Sequence, residues 1–146
     1  MKVKISIDER LDPKGIIISC YEVDERILRI KKYAEKINTT LTATNGQQKL
    51  FVLPEEVYYF ESIEKKTFIY LKEGVWECPL RLYELEEVLE GLSFVRISKS
   101  TIVNVAKVRE IRVMINRNLM LLMDNEEKLI VSRRYVKDFN RLIGME

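Results

Sequence analysis

Short strand-like apolar segments separated by turn chemistry make up most of this chain, and only three stretches carry the longer period of a helix. Val3, Ile5 and Ile7 alternate with Lys4 and Ser6, which predicts a half-buried strand. Residues 16–20 predict a second, after the turn chemistry of Asp12, Pro13, Lys14 and Gly15. Ile27, Ile30, Ala34 and Ile37 then recur at helical spacing. Tyr33 extends that stripe, while Glu25, Arg29, Lys32 and Lys36 occupy other faces. Residues 1–40 are therefore expected to form a small β-β-α unit. It has too little apolar material to stand alone and should dock on the rest of the chain or on another copy.

The Thr-rich stretch 38–44 fits an exposed connector or the leading strand of a second domain equally well. Short strand patterns follow at 50–53, 57–62, 67–71 and 75–78, with turns at Asn45-Gly46, 64–66 and 72–74. Leu82, Leu85, Val88 and Leu89 share one side of a helix over residues 81–90, and Gly91 is placed to end it in a left-handed conformation. Strands resume at 94–97, 102–103, 108–115, 119–123 and 129–132, with a polar hairpin tip at Asn116, Arg117 and Asn118. Tyr135, Val136, Phe139, Leu142 and Ile143 are spaced as the buried face of a closing helix.

Composition narrows the chemistry. Apolar residues make up 47% and charged residues 33%, as in globular proteins, and no apolar run approaches the roughly 20 residues that span a bilayer. Membrane insertion is not expected. The N-terminus lacks the continuous apolar core of a secretory signal, so a cytoplasmic location is expected. Histidine is absent, which removes the commonest general base and most zinc constellations. Cys20 and Cys78 are too few and too far apart for a metal site or disulfide framework. Glu84, Glu86, Glu87 and Glu90 fit a solvated helix face better than an acid-base pair. Neither an enzyme nor a cofactor is expected.

The net charge of +2 hides an asymmetry. Residues 93–146 carry 11 Lys and Arg against 6 Asp and Glu, whereas residues 1–92 carry 14 against 17. An anionic partner for the C-terminal part follows from that division. Three polar, mostly basic loops could meet it, at Lys65, Lys66 and Thr67, at Ser98, Lys99 and Ser100, and at Ser132, Arg133 and Arg134. Arg can donate a bidentate pair to guanine, Lys neutralises phosphate, and hydroxyls serve backbone or base edge. Arg96 and Asn104, facing inward from strands, fit phosphate contact and the satisfaction of buried backbone groups equally well.

Residues 94–104 also resemble the signature of LytTR-type DNA-binding domains. Phe94 supplies the aromatic residue and Arg96 the arginine two positions on. Ser98, Lys99 and Ser100 form the small polar cluster, and Val103 and Asn104 follow. Residues 57–62 are similar to a family strand, residues 80–89 to its interior helix, and residues 130–134 to its closing strand and basic tip. The four motifs run in family order over residues 46–146, which marks the second domain.

The resemblance implies a mostly β fold, α+β overall, with antiparallel sheets, one interior helix and a C-terminal helix. It also implies a bacterial transcriptional regulator that grips double-stranded DNA through loops between strands. Relatives commonly bind direct repeats as two side-by-side copies and bend the DNA, so a homodimer is expected. Carried over by position, Thr67 and Arg134 would read bases and Lys99 would contact DNA, with Lys65, Lys66, Ser98, Ser100 and Arg133 beside them on phosphates. Many members have His where this chain has Ser98, and Thr67 is shorter than usual, so target preference does not carry over. The N-terminal unit is too short for a receiver domain, which predicts a stand-alone regulator. The alternative is a protein-interaction module that keeps the scaffold without DNA readout.

Overall fold

A computed structural model describes residues 2–144. The chain runs α1 (Glu25–Lys36), β1 (Leu41–Thr44), β2 (Lys49–Val52), β3 (Val57–Ile63), β4 (Lys66–Leu71), β5 (Val75–Cys78) and α2 (Leu82–Val88). It continues through β6 (Phe94–Ser98), β7 (Thr101–Asn104), β8 (Val108–Val113), β9 (Leu119–Met123), β10 (Lys128–Val131) and α3 (Val136–Ile143). The strands make a seven-stranded sheet in the order β2-β1-β5-β4-β3-β7-β6 and a three-stranded sheet in the order β10-β9-β8. Every pairing is antiparallel. The mostly β architecture expected from the short strand segments and the family resemblance is thus present, and the Thr-rich stretch supplies β1.

Two cores share one wall. Between the large sheet and α2 lie Val57, Phe60, Ile69, Leu85, Leu89 and Ile102. Between that sheet, the small sheet and α3 lie Tyr58, Tyr59, Ile97, Val103, Leu121 and Phe139. Strict alternation along β3 could not bury four consecutive residues in this 1-2-2-1 division. A bulge resolves it: the ladder to β4 shifts between Val57 and Tyr59, which pair with Leu71 and Tyr70, so Tyr58 and Tyr59 both turn to the second core. Tyr59 stacks on Tyr70 with ring centroids 4.0 Å apart. Burial, with the Glu127 carboxylate nearby, holds the Tyr59 phenol well above its ordinary pKa and keeps it neutral.

The N-terminal unit departs from expectation. Its helix forms, with the Asp24 carboxylate accepting from the Ile27 amide at 2.9 Å as N-cap. The two strands expected at 3–7 and 16–20 do not form: residues 2–23 belong to no ladder, and Val3, Ile5, Ile7, Ile16 and Ile17 are exposed. The alternation is real, but an isolated hairpin buries too little to hold itself together in water.

No residue of α1 is fully buried. The helix leans on the C-terminal end of α2, where Lys32 Nζ meets Glu90 Oε1 at 3.2 Å and Lys36 Nζ reaches the Glu87 carbonyl at 3.5 Å. Between them Gly91, at φ +88°, lies so close that a Cβ there would sit 2.8 Å from Lys32 Cβ. Beside this contact an open cleft of about 790 Å³ is lined by Ile30, Tyr33, Leu92, Phe94 and Leu142. Gly91→Ala should therefore cost roughly 1–2 kcal/mol in urea denaturation from the left-handed backbone alone. It should also speed protease cleavage within α1; cleavage at the wild-type rate would mean that α1 does not rest on this glycine.

Candidate nucleic-acid interface

Three turns stand side by side at one end of the large sheet, and backbone hydrogen bonds tie them together. The β3–β4 turn is the two-residue connection Glu64-Lys65, closed by the pair Ile63 and Lys66. The β6–β7 turn holds Lys99 and Ser100. Because β7 runs antiparallel beside β3, it starts where β3 ends, and the Ser62 amide donates to the Ser100 carbonyl at 2.8 Å. The third segment leaves β10 at Ser132, whose amide donates to the Ile97 carbonyl at 2.9 Å, one residue before the middle turn opens. A short 3-10 helix over Arg133–Tyr135 then leads into α3.

Lys65, Lys66, Lys99, Arg133 and Arg134 are all exposed on these turns. Among the described residues none of the five pairs with a carboxylate, although six ion pairs form elsewhere. Five unneutralised cations drawn to one end of a molecule of net charge +2 make a local positive field that an extended anion can exploit. Ser98 and Ser100 stand half-buried beside Lys99, their hydroxyls 3.4 Å apart, and the Ser98 oxygen accepts from the Ser100 amide at 3.2 Å. These hydroxyls shape the middle turn as well as edging its surface.

Of the residues singled out from the sequence, Thr67 and Asn104 lie inside, and Arg96 is half-buried with its charge paired. Thr67 is 3% exposed: it shares a face of β4 with the buried Ile69, two positions on, and pairs with Cys78 of β5. It cannot reach a base from there. Asn104, fully buried, donates from Nδ2 to the Val57 carbonyl at 2.8 Å and accepts on Oδ1 from the Ser93 hydroxyl at 2.7 Å and the Ala106 amide at 3.1 Å. It joins the end of β7 to the start of β3. Arg96 has its guanidinium on Glu86 of α2, with Nε to Oε1 at 2.7 Å, and donates from Nη1 to the Lys99 carbonyl at 2.7 Å. Its charge is neutralised, and its work is to brace the middle turn.

The parity of Thr67 with Ile69 was available in the sequence and marks it as inward. The partners of Arg96 and Asn104 were not, since Val57 is 47 residues from Asn104. A further basic turn, Met114 to Arg117 between β8 and β9, reaches the same end through Asn118, whose Oδ1 accepts from the Arg133 amide at 3.0 Å. Sequence reasoning recognised it only as a hairpin tip.

Such a β scaffold, with braced basic turns gathered at one end and no recognition helix among them, defines a class of loop-presenting polyanion binders. The chain belongs to the LytTr DNA-binding domain family, whose model matches residues 47–144. It is 31% identical to the LytTr DNA-binding domain of a Bacillus cereus methyl-accepting/DNA response regulator, with a TM-score of 0.69 over 73% of this chain and 98% of that one. The sensory transduction protein LytT of Enterococcus faecalis is 30% identical over 101 residues, 68% of this chain and 42% of that protein. The transcriptional regulatory protein YpdB of Escherichia coli K12 is 31% identical over 109 residues, 74% of this chain and 45% of that protein. The chain thus spans less than half the length of these curated relatives.

Glu64 and Lys65 adopt φ of 49° and 66°, a mirror-image turn that favours Gly or Asn. Lys65 is held there at a steric cost that a glycine would not bear. Lys65→Gly should raise stability by roughly 1 kcal/mol in urea denaturation, and an unchanged or lowered midpoint would show that the turn is not strained.

Proposed function

We propose that this chain is a sequence-specific double-stranded DNA-binding transcriptional regulator that contacts the duplex through turns between its strands. The observation that carries this reading is the gathering of five unpaired cations on three hydrogen-bonded turns, in a chain of the LytTr DNA-binding domain family. Arg134 is the base reader, because its fork can match guanine in the major groove. Lys99, on the middle turn, meets the adjoining backbone or groove, and Lys65, Lys66, Ser98, Ser100 and Arg133 anchor phosphates. Thr67, Arg96 and Asn104 serve the scaffold, for the reasons of burial and pairing given above.

Two copies bind side by side on direct repeats in this reading, in the cytoplasm of a bacterium. The absence of any helix long and apolar enough to cross a membrane among the described residues is compatible with that setting. Self-association draws on residues 3–18, whose aliphatic side chains lie exposed and unpaired. The double substitution Ile5→Lys with Ile17→Lys should turn a dimer into a monomer by light scattering without shifting the thermal midpoint. A wild-type chain that is monomeric at tens of micromolar, free and on DNA, would remove the dimer.

Selection from randomised duplexes, followed by titration at several salt concentrations, tests the DNA reading itself. With Lys65, Lys66, Lys99 and Arg133 neutralising phosphates while Arg134 reads a base, log K should fall against log salt with a slope of roughly −3 to −4. Arg134→Ala should cost about 1–3 kcal/mol on the preferred site and flatten the preference. Lys99→Ala should weaken all duplexes evenly and reduce the slope by about 1. Failure of the folded wild-type chain to retain any duplex would leave the scaffold as a protein-interaction module.

A further inference from the structure

The turn between β8 and β9 carries, at the basic end, both a cation and a hydrophobe wholly in water. It is closed by two backbone hydrogen bonds, Met114 N to Asn118 O at 2.8 Å and Arg117 N to Met114 O at 3.1 Å. Arg117 sits at φ +68°, and the Asn116 side chain accepts from the Asn118 amide at 3.2 Å. These bonds describe a tight turn followed by a left-handed residue, a common rigid hairpin end rather than a loose loop. The strand pattern had run on to Ile115; β8 in fact stops at Val113, which leaves Met114 and Ile115 in the turn.

Ile115 therefore stands at the apex with its side chain wholly in water, at 107% relative exposure, and Val113 is exposed beneath it. A turn apex ordinarily carries Asn, Asp, Gly or Ser. An aliphatic residue there gains nothing from the monomer fold and gains free energy only when something covers it. Whatever covers it must also tolerate positive charge, because exposed Arg117 lies on the same turn and Arg133 directly behind it. Among the described residues neither arginine pairs with a carboxylate.

DNA offers that combination in its minor groove, where apolar base and sugar surface lies between two rows of phosphates and aliphatic side chains can wedge into a base step. We propose that the β8–β9 turn is a fourth DNA-contacting element, in which Ile115 wedges against a base step in the minor groove beside the Arg134 site while Arg117 takes a flanking phosphate. This rests on the DNA-binding reading above. The wedge opens the step toward the major groove, so the chain favours flexible pyrimidine–purine steps at a position that no polar side chain reads. The bond from the Arg133 amide to Asn118 fixes the distance between wedge and base reader, which sets the spacing of that step from the base pairs read by Arg134.

The test uses the full-length chain and its selected duplex, with 2-aminopurine placed in turn at each step flanking the Arg134 site, and bending followed by the mobility of circularly permuted fragments. Wild-type protein should raise 2-aminopurine fluorescence at one step and bend the duplex. Ile115→Ala should abolish the fluorescence rise and at least halve the bend while keeping the sequence preference set by Arg134. Arg117→Asn, which tolerates the positive φ, should leave the bend and lower the salt slope by about 0.9. Both positions are exposed, so thermal midpoints within a degree or two of wild type confirm intact folding. A wild-type chain that binds its duplex without unstacking any step, or an Ile115→Ala chain that bends it as before, overturns the wedge and leaves DNA binding standing. So does an Ile115→Ala chain that bends as before but loses self-association, which would make the turn a contact between copies. Binding of no duplex at all overturns the DNA reading instead.

Discussion

Burial of β3 and β7 on both faces is the constraint from which the rest of the molecule follows. Phe60 and Ile102 look toward α2, while Tyr59 and Val103 look toward the small sheet and α3, so these two strands are a wall between two cores. A strand packed on both sides cannot slip in register without exposing one apolar set and burying the wrong residues in the other. The ends of the wall are therefore fixed in space. One end carries the β3–β4 and β6–β7 turns; at the other, Asn104 bonds to the first residue of β3 and closes the circuit. Four backbone and side-chain groups that water would otherwise solvate are satisfied there within the protein, which is why so polar a residue is fully buried.

Charge on this molecule is sorted by the same scaffold. Arg96 lies only three residues from Lys99, yet Glu86 claims its guanidinium and leaves the lysine unopposed. Just past the same helix Glu90 pairs with Lys32 of α1, and the Glu87 carbonyl accepts from Lys36. Glu86 and Glu90 thus neutralise structural cations, and the cations on the turns stay free. An unpaired exposed cation loses little by being so in water, and it has no partner to release when a phosphate arrives.

Most of the fold was legible because it is carried by local patterns. β9 is marked by a short apolar run between the polar tip at 116–118 and the turn at 124–127, Gly91 by its position after the last apolar residue of α2, and the closing helix by the spacing that brings Phe139 inward. What was not legible depends on partners far along the chain or missing from it. Alternation at Val3, Ile5 and Ile7 states which face is apolar but not whether an edge exists for it to join. The bulge at Tyr58 arises from the demand of two cores, which no window around β3 contains. At the site, exposure of Lys65, Lys66, Lys99, Arg133 and Arg134 follows from turn chemistry, while the burial of Thr67 follows from its parity with Ile69 and not from its place in the family pattern.

The short helix α2 touches α1 and the middle turn at once. Its last turn and the glycine beyond it bear Lys32 and Lys36, and Glu86, scarcely a turn earlier, grips the arginine that holds the Lys99 carbonyl. Seven residues are too few to bend. The N-terminal helix and the brace of the middle turn consequently rest on one short, stiff segment.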